Sequence, residues 1–246
     1  MRVMKYLAII WVNVRLFLLL LLAGVLALYL SWLVNAQLGY GYTWLYHLYQ
    51  TDKHIEKYAP QNRFRDDFEY TSITQHKAMF QSIVDSVHND GKGLEQIRYQ
   101  VNGKAHALLH QAEIIHLQDV AALINNIHRL AAVCFVLFLG LFISHRRWQG
   151  GDINASNKGI LSVALILLGI IIAVFFAYGA KEIFYQMHIW IFPEDHQWFF
   201  YYQDSLMSTL MKAPDLFAGI AIQITLLAIV IVAFASLWGK KLLKLN

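Results

Sequence analysis

Charged residues are scarce in this sequence, and cysteine is nearly absent. Of the 246 residues, 15% are charged and 58% are hydrophobic, a balance that is not typical of a soluble globular domain. The net charge of +4 is too small to indicate nucleic acid as a partner. The single cysteine, Cys134, lies in an apolar run, which excludes an intramolecular disulfide and leaves no cysteine outside that run as a nucleophile. The composition therefore indicates a protein of the lipid bilayer.

Four apolar runs predict four membrane-spanning helices. A helix needs ~20 residues to cross about 30 Å of hydrocarbon. Three of the runs have about this length: Leu16–Val34, Gly159–Gly179 and Leu216–Trp238. The run Leu130–Ile143 is shorter, but apolar residues 120–124 precede it, so one continuous helix can cross the membrane and project beyond it. We therefore predict a mainly α-helical membrane protein, a four-helix transmembrane bundle with a small α+β extracytoplasmic cap.

The four runs divide the chain into segments with a predicted orientation. We expect transmembrane helices at 1–35, 126–145, 159–180 and 215–238, the cap at 36–125, and an extracytoplasmic loop at 181–214. Basic residues gather before the first span, between the second and third, and after the fourth: Arg2, Lys5, Arg15, Arg146, Arg147, Lys158, Lys240, Lys241 and Lys244. By the positive-inside rule both termini are then cytoplasmic.

The first apolar run has a second interpretation, as a cleaved signal peptide. Val34-Asn35-Ala36 resembles a small-residue cleavage site. The run is longer than the ~7 to 15 apolar residues that signal peptides usually carry, which favours an uncleaved span.

The cap is predicted to start at the membrane surface and to contain a helix and a hairpin. Five aromatic residues follow the first span where an interfacial belt is expected: Tyr40, Tyr42, Trp44, Tyr46 and Tyr49. Ser72-Ile-Thr-Gln75 resembles a capping box, and apolar residues then recur at helical spacing until Asn89-Asp-Gly91. Two short runs flank Asn102-Gly103, the favoured pair for a type I′ turn, and predict a β-hairpin.

Two histidines lie in the densest polar patterns of the chain. His116 is three residues from both Glu113 and Asp119, so on a helix the three share roughly one face. A carboxylate beside a histidine can fix its tautomer and raise its basicity. His188 begins an aromatic-rich stretch that continues through Trp198 to residue 204.

The two histidines are also predicted to stand at one height. His116 lies 29 residues before His145, and His188 lies 30 residues after Lys158. If both helices run unbroken, a rise of ~1.5 Å per residue places both on the order of 13 Å beyond the outer hydrocarbon edge. The bland alternative is that His116 makes a loop contact and His188 packs among aromatic rings at the interface.

These motifs resemble one bacterial membrane family. His116-Leu-Gln-Asp119-Val120 before one span, and a spaced aromatic pattern before another, are similar to the lipoprotein intramolecular transacylase family, long catalogued as a domain of unknown function. The spaced pattern comprises Phe184, His188, Phe192, Trp198, Asp204 and Leu206. The resemblance covers most of the chain from Phe68 onward, and it departs at Leu117, where methionine is more usual in the family.

The resemblance implies an acyltransferase of the bacterial cytoplasmic (inner) membrane. Its substrate is a lipoprotein N-terminus carrying a diacylglyceryl cysteine, and its reaction moves the sn-2 acyl chain to the cysteine's own α-amine, giving lyso-form lipoprotein. The resemblance also implies a catalytic pair, which here is His116 and His188. We expect Asp119 to orient His116 as general base and acid, with Glu113, Trp198 and Asp204 in supporting roles.

The absence of a nucleophile motif from the sequence is consistent with such a reaction. No Gly-x-Ser-x-Gly elbow is present, so no covalent acyl carrier is apparent, and an intramolecular transfer needs none. The transfer needs a base, an acid and hydrogen-bond donors for the oxyanion. We expect no cofactor and no metal. Partners would be the lipoprotein and membrane lipid.

Two other classes of function remain open at this point. A metal-binding membrane protein would use His106, His110 and His116. A non-enzymatic scaffold or sensor would keep the fold without its chemistry.

Overall fold

The computed structural model of this protein describes residues 2–147, 177–179, 181–213 and 215–243, and within them it is mostly helical. Its helices are α1 (Arg2–Gln37), α2 (Tyr42–Leu48), α3 (Thr51–Tyr58), α4 (Ile73–Val87), α5 (Gln111–Arg147), α6 (residues 181–191), α7 (Leu206–Met211) and α8 (Asp215–Leu243). Two strands, β1 (Arg98–Val101) and β2 (Lys104–Ala107), form its small sheet.

Three described helices are long and apolar enough to cross a membrane. They are Val14–Gln37 within α1, the whole of α5, and Asp215–Ala235 within α8. These helices overlap the predicted first, second and fourth spans. The predicted third span, 159–180, lies outside the described residues except at 177–179.

The chain divides into two compact units, and the first contains most of the apolar helical segments. It comprises Met1–Trp32, His128–Ala180 and Thr225–Asn246. Within it, the Tyr29 hydroxyl lies 2.7 Å from Nδ1 of His128, and this hydrogen bond joins α1 to α5. Large apolar side chains on the described outer faces are exposed, among them Leu130, Val136, Leu226 and Val230. Such faces suit contact with lipid chains.

The second unit comprises Leu33–Ile127 and Lys181–Ile224, and the predicted hairpin lies in it. Strands β1 and β2 are antiparallel, with Val101 paired to Lys104. Asn102 and Gly103 between them both have positive φ, 50° and 72°, as a type I′ turn requires. The hairpin prediction is confirmed.

Helix α4 starts at the predicted cap residue, but half of the expected capping box is not formed. Ser72 Oγ accepts from the Gln75 amide at 3.3 Å. The Gln75 side chain instead bonds both backbone groups of Gln100 on β1, at 2.7 and 3.1 Å. The glutamine therefore ties α4 to the sheet. The apolar face of the helix is buried as predicted: Met79, Phe80, Ile83, Val84 and Val87.

The prediction of an interfacial aromatic belt is wrong for Tyr42 and Tyr46, which are buried in the second unit. Tyr42 stacks on Phe80 at 4.0 Å, and its hydroxyl donates to the Leu210 carbonyl. The Tyr46 hydroxyl bonds His76 at 2.9 Å. Because α2 is a helix, residues four apart share one face, so these two rings point inward while Trp44 is exposed.

The assumption of an unbroken helix up to His188 was also wrong. Gly179 has a φ of 76°, in the left-handed region that an α-helix does not contain. Height counted along one continuous helix therefore does not place His188. Its position depends on α6 and on the contacts described below.

The orientation of the chain is testable by cysteine labelling. In a background with Cys134 replaced by alanine, we expect an impermeant maleimide added outside to label Glu56→Cys and Glu194→Cys, which replace exposed residues. Arg147→Cys should be labelled only after the membrane is permeabilised, because it ends α5 within a basic cluster. Labelling of position 147 in intact cells would contradict the predicted topology.

Candidate active site

The start of α5 presents three polar side chains in three directions. Each step of three residues turns the helix by about −60°, so Glu113 and Asp119 point about 120° apart with His116 between them. Glu113 faces α7, His116 faces α6, and Asp119 faces the loop after α6. The three side chains thus spread over about 120° of the helix surface rather than along one narrow face. All three contact one continuous stretch of chain, residues 188–207.

The rings of His116 and His188 lie together. Their centroids are 6.1 Å apart and their planes are tilted by 30°. His116 is 8% exposed, and Phe192 packs edge-on against its ring at 4.8 Å. His188 is half-buried. The centroid of its ring lies 4.0 Å from that of Phe184 and 4.9 Å from that of Trp198. The pair therefore sits in an aromatic enclosure within the second unit.

The hydrogen bond of His188 fixes its tautomer. Its Nδ1 lies 2.7 Å from the carbonyl oxygen of Phe184, one turn earlier on α6. A carbonyl only accepts, so Nδ1 carries the proton and Nε2 of the neutral ring has a free lone pair. Burial lowers the pKa of His188, while the Phe184 carbonyl opposes this shift. At neutral pH the ring is therefore uncharged, with Nε2 able to accept a proton.

His116 lacks the carboxylate partner that the sequence suggested. Asp119 Oδ2 instead lies 2.7 Å from Nδ1 of His196. Nδ1 of His116 is buried and has no hydrogen-bond partner among the described residues. The expected hydrogen bond between Asp119 and His116 is thus replaced, because the carboxylate points about 60° away from the histidine around the helix.

Glu113 joins the start of α5 to the start of α7. Its side chain is fully buried, at 0% exposed. It accepts a short hydrogen bond from the Ser205 hydroxyl, one from the His110 amide at 2.7 Å, and one from the Met207 amide at 3.3 Å. Ser205 in turn caps α7 by accepting from the Ser208 amide. We name Glu113 and Ser205, with the amides that they bind, the carboxylate clasp.

Asp204 and Trp198 lie at different distances from the histidine pair. Asp204 forms an ion pair with Arg63 at 3.2 Å, and its carbonyl lies 3.1 Å from Nε2 of His110. These contacts hold the loop against residues of the predicted cap segment. Trp198 packs on the His188 ring and on Tyr185, at 4.9 and 5.7 Å. Trp198 therefore contacts the pair directly, and Asp204 anchors the loop that carries it.

The three histidines of the metal alternative do not meet. His106 stacks on Tyr99 at 5.1 Å, and His110 bonds the backbone of Asp204. In the part of the chain that the structure describes, no group of three or more His, Cys, Asp or Glu residues is placed to hold a metal ion.

Two polar residues of this region were missed by reasoning from the sequence. Ser205 and His196 contact Glu113 and Asp119 from 92 and 77 residues away. No local spacing relates residues so far apart. The available signal was indirect, since a buried carboxylate needs hydrogen-bond donors and the stretch after His188 is rich in them.

Replacing Trp198 tests whether the aromatic enclosure matters for activity. We expect Trp198→Ala to lower activity about 10-fold without loss of expression, because His188 would lose its largest neighbour while the carboxylate clasp stays intact. Trp44→Ala, at an exposed tryptophan, is the matched control. Wild-type activity in Trp198→Ala, measured on equal amounts of purified protein, would contradict the placement of this ring.

The comparisons with known proteins give one match. The model of the family described as lipoprotein intramolecular transacylase Lit matches residues 9–217, most of the chain. No curated protein and no solved structure matches it.

Proposed function

Because the chain belongs to the lipoprotein intramolecular transacylase family, we propose that it transfers the sn-2 acyl chain of a diacylglyceryl lipoprotein to the α-amine of the same cysteine. The family name implies a transacylase. The reaction forms one C–N bond, breaks one ester C–O bond, and moves a proton from nitrogen to the glycerol oxygen. No acyl-enzyme is required, because amine and ester belong to one molecule.

The observation that supports this function best is the His116–His188 pair in its aromatic enclosure. Two imidazoles with centroids 6.1 Å apart can hold a small reacting group between them. Around them, Phe184, Phe192 and Trp198 supply apolar surface that suits acyl chains and the glyceryl group. The site therefore combines proton-transfer groups with a surface for lipid.

We propose a division of roles that differs from the one based on sequence. His188 is the general base, because its Nδ1–H bond to Phe184 leaves Nε2 basic. An α-ammonium has a pKa of about 8, so the amine must lose a proton before it attacks and another as the amide forms. Of these two protons, His188 releases one to solvent, and the other passes by way of His116 to the departing glycerol oxygen, so that both rings return to their neutral form. His116 also donates to the oxyanion.

Enclosure of the substrate contributes to the rate as well. A flexible diacylglyceryl cysteine must fold so that its amine reaches its own ester. Holding the two groups in contact raises their effective molarity, which in favourable intramolecular reactions reaches about 10⁵ M or more. Aromatic walls also keep water from the ester, so that the amine is the nucleophile.

A crossover experiment tests the reaction. The purified protein in lipid nanodiscs is given two diacylated lipopeptides, one with isotope-labelled acyl chains and one with a different peptide. Product and substrate are isomers, so mild alkali is used to remove ester-linked chains and to leave the amide. We expect N-acyl peptides in which each label stays with its original peptide. Exchange of labels would exclude an intramolecular transfer, and absence of N-acyl peptide would exclude the function.

A further inference from the structure

Residues 192–200, which we name the aromatic loop, cover the histidine pair. Phe192 packs on both rings, at 4.8 Å from His116 and 5.2 Å from His188. Trp198 packs on His188, and Phe200 lies 6.0 Å from His116. The loop thus makes several apolar contacts with the pair, all of which depend on where its backbone lies.

One polar contact joins the middle of this loop to α5. His196 Nδ1 and Asp119 Oδ2 are 2.7 Å apart, and Asp119 lies one turn beyond His116. Within the described residues this is the one hydrogen bond between the aromatic loop and α5. That hydrogen bond raises the pKa of His196, with smaller support from the charge of Asp195. Asp119 therefore stabilises the protonated form of His196.

We propose that Asp119 and His196 are positioning residues, whose contact holds the aromatic loop over the histidine pair and excludes water from the acyl ester. This inference rests on the proposed function. Neither side chain needs to touch the reacting atoms. Their contact sets the distance between the aromatic loop and His116, and so decides which nucleophile reaches the ester carbon.

The chemistry gives this inference a specific readout. In acyl transfer the amine nitrogen bonds the acyl carbon and the mass of the lipopeptide is unchanged. If water enters, its oxygen bonds the acyl carbon, the same ester C–O bond breaks, and a free fatty acid leaves while the glycerol oxygen gains the proton. The amine then stays free, and the lipopeptide becomes lighter by one acyl chain. The ratio of the two products reports water exclusion separately from overall rate.

The test compares Asp119→Ala and His196→Ala with the wild type in nanodiscs. We expect acyl transfer to fall about 10-fold to 100-fold and the hydrolysed share of product to rise, with the double variant hardly worse than either single one. Asp119→Asn keeps an acceptor oxygen for His196 and should restore most of the wild-type ratio. Glu194→Ala, which removes an exposed carboxylate of the same loop, is the matched control.

Hydrogen exchange gives a second measurement that does not depend on activity. Peptides covering residues 192–200 should take up deuterium faster in both alanine variants and at the wild-type rate in Glu194→Ala. Unchanged exchange would overturn the inference, and so would faster exchange with an unchanged product ratio. If the wild type itself forms no N-acyl product, the proposed function fails and this inference fails with it. An active wild type with unaffected variants removes the inference alone.

Discussion

Removing either histidine of the pair is expected to abolish formation of lyso-form lipoprotein. General acid–base catalysis by a positioned side chain contributes about 10²- to 10⁴-fold, so His116→Ala and His188→Ala should each lower the rate by that factor. The double variant should be hardly worse than either single one, because a proton-transfer pair acts as a unit. His116→Gln keeps most of the side-chain volume in a buried position and separates lost chemistry from a cavity.

The choice of control histidine follows from burial and hydrogen bonding. His47 is exposed on α2, and His47→Ala should retain wild-type activity. His76 is unsuitable, because it is 3% exposed and bonds the hydroxyls of Tyr46 and Thr71. Its removal would take away the hydrogen-bond partner of the buried Tyr46 hydroxyl, while the Thr71 hydroxyl would keep its bond to the Phe68 carbonyl. Activity is measured as N-acyl peptide from a diacylated lipopeptide, and near-native conversion by any variant of the pair would refute the mechanism.

The second large effect is expected on stability, from Glu113→Ala. This change leaves the buried Ser205 hydroxyl and Met207 amide, and the part-buried His110 amide, without their acceptor. The expected cost is about 2–4 kcal/mol of unfolding free energy, because unpaired buried donors cost about 1–3 kcal/mol each and part of the structure relaxes. For a chain of this size that is a fall of about 5–15 °C in the thermal unfolding midpoint in detergent.

Two further variants show whether the carboxylate clasp is responsible. Ser205→Ala should lower the midpoint by less than Glu113→Ala. The loss in the double variant should be smaller than the sum of the two single losses, since both changes remove the Glu113–Ser205 contact, although Ser205→Ala also removes the cap of α7. Glu56→Ala removes an exposed carboxylate on α3 and should leave the midpoint unchanged. Additive losses from Glu113→Ala and Ser205→Ala would show that the two side chains act independently.

Local patterns in the sequence predicted the elements of the fold well where one short segment determines the structure. The Asn102-Gly103 turn formed its hairpin, because positive φ at both positions is a property of those two residues. Apolar spacing in 73–87 identified the buried face of α4. Three of the predicted apolar runs lie in described helices that are long and apolar enough to cross a membrane.

Contacts between distant segments could not be predicted in the same way. Asp119 was assigned to His116 because the two are neighbours in sequence, yet the carboxylate bonds His196. Gln75 was assigned to a capping box and bonds Gln100 instead. In both cases a side chain with a suitable local partner found a better one across the fold, and only the tertiary structure reveals which contact forms.

The pairing of His116 with His188 was anticipated, although one argument for it was wrong. Gly179 interrupts the helix along which the height of His188 was counted. The family motifs led to the same two residues independently of that count. The proximity of the rings therefore depends on α6 and the aromatic loop, rather than on matched lengths of two straight helices.

The carboxylate clasp can form only late in the synthesis of the chain. Glu113 and Ser205 are 92 residues apart, so α5 leaves the ribosome well before its partner has been made. At about 5–20 residues per second the interval is about 5–20 s. During that interval Glu113 has no donor from Ser205 or Met207, and His116 has no His188 beside it. The histidine pair therefore cannot form before residue 188 has been synthesised, and the carboxylate clasp cannot form before residues 205–207 have been added.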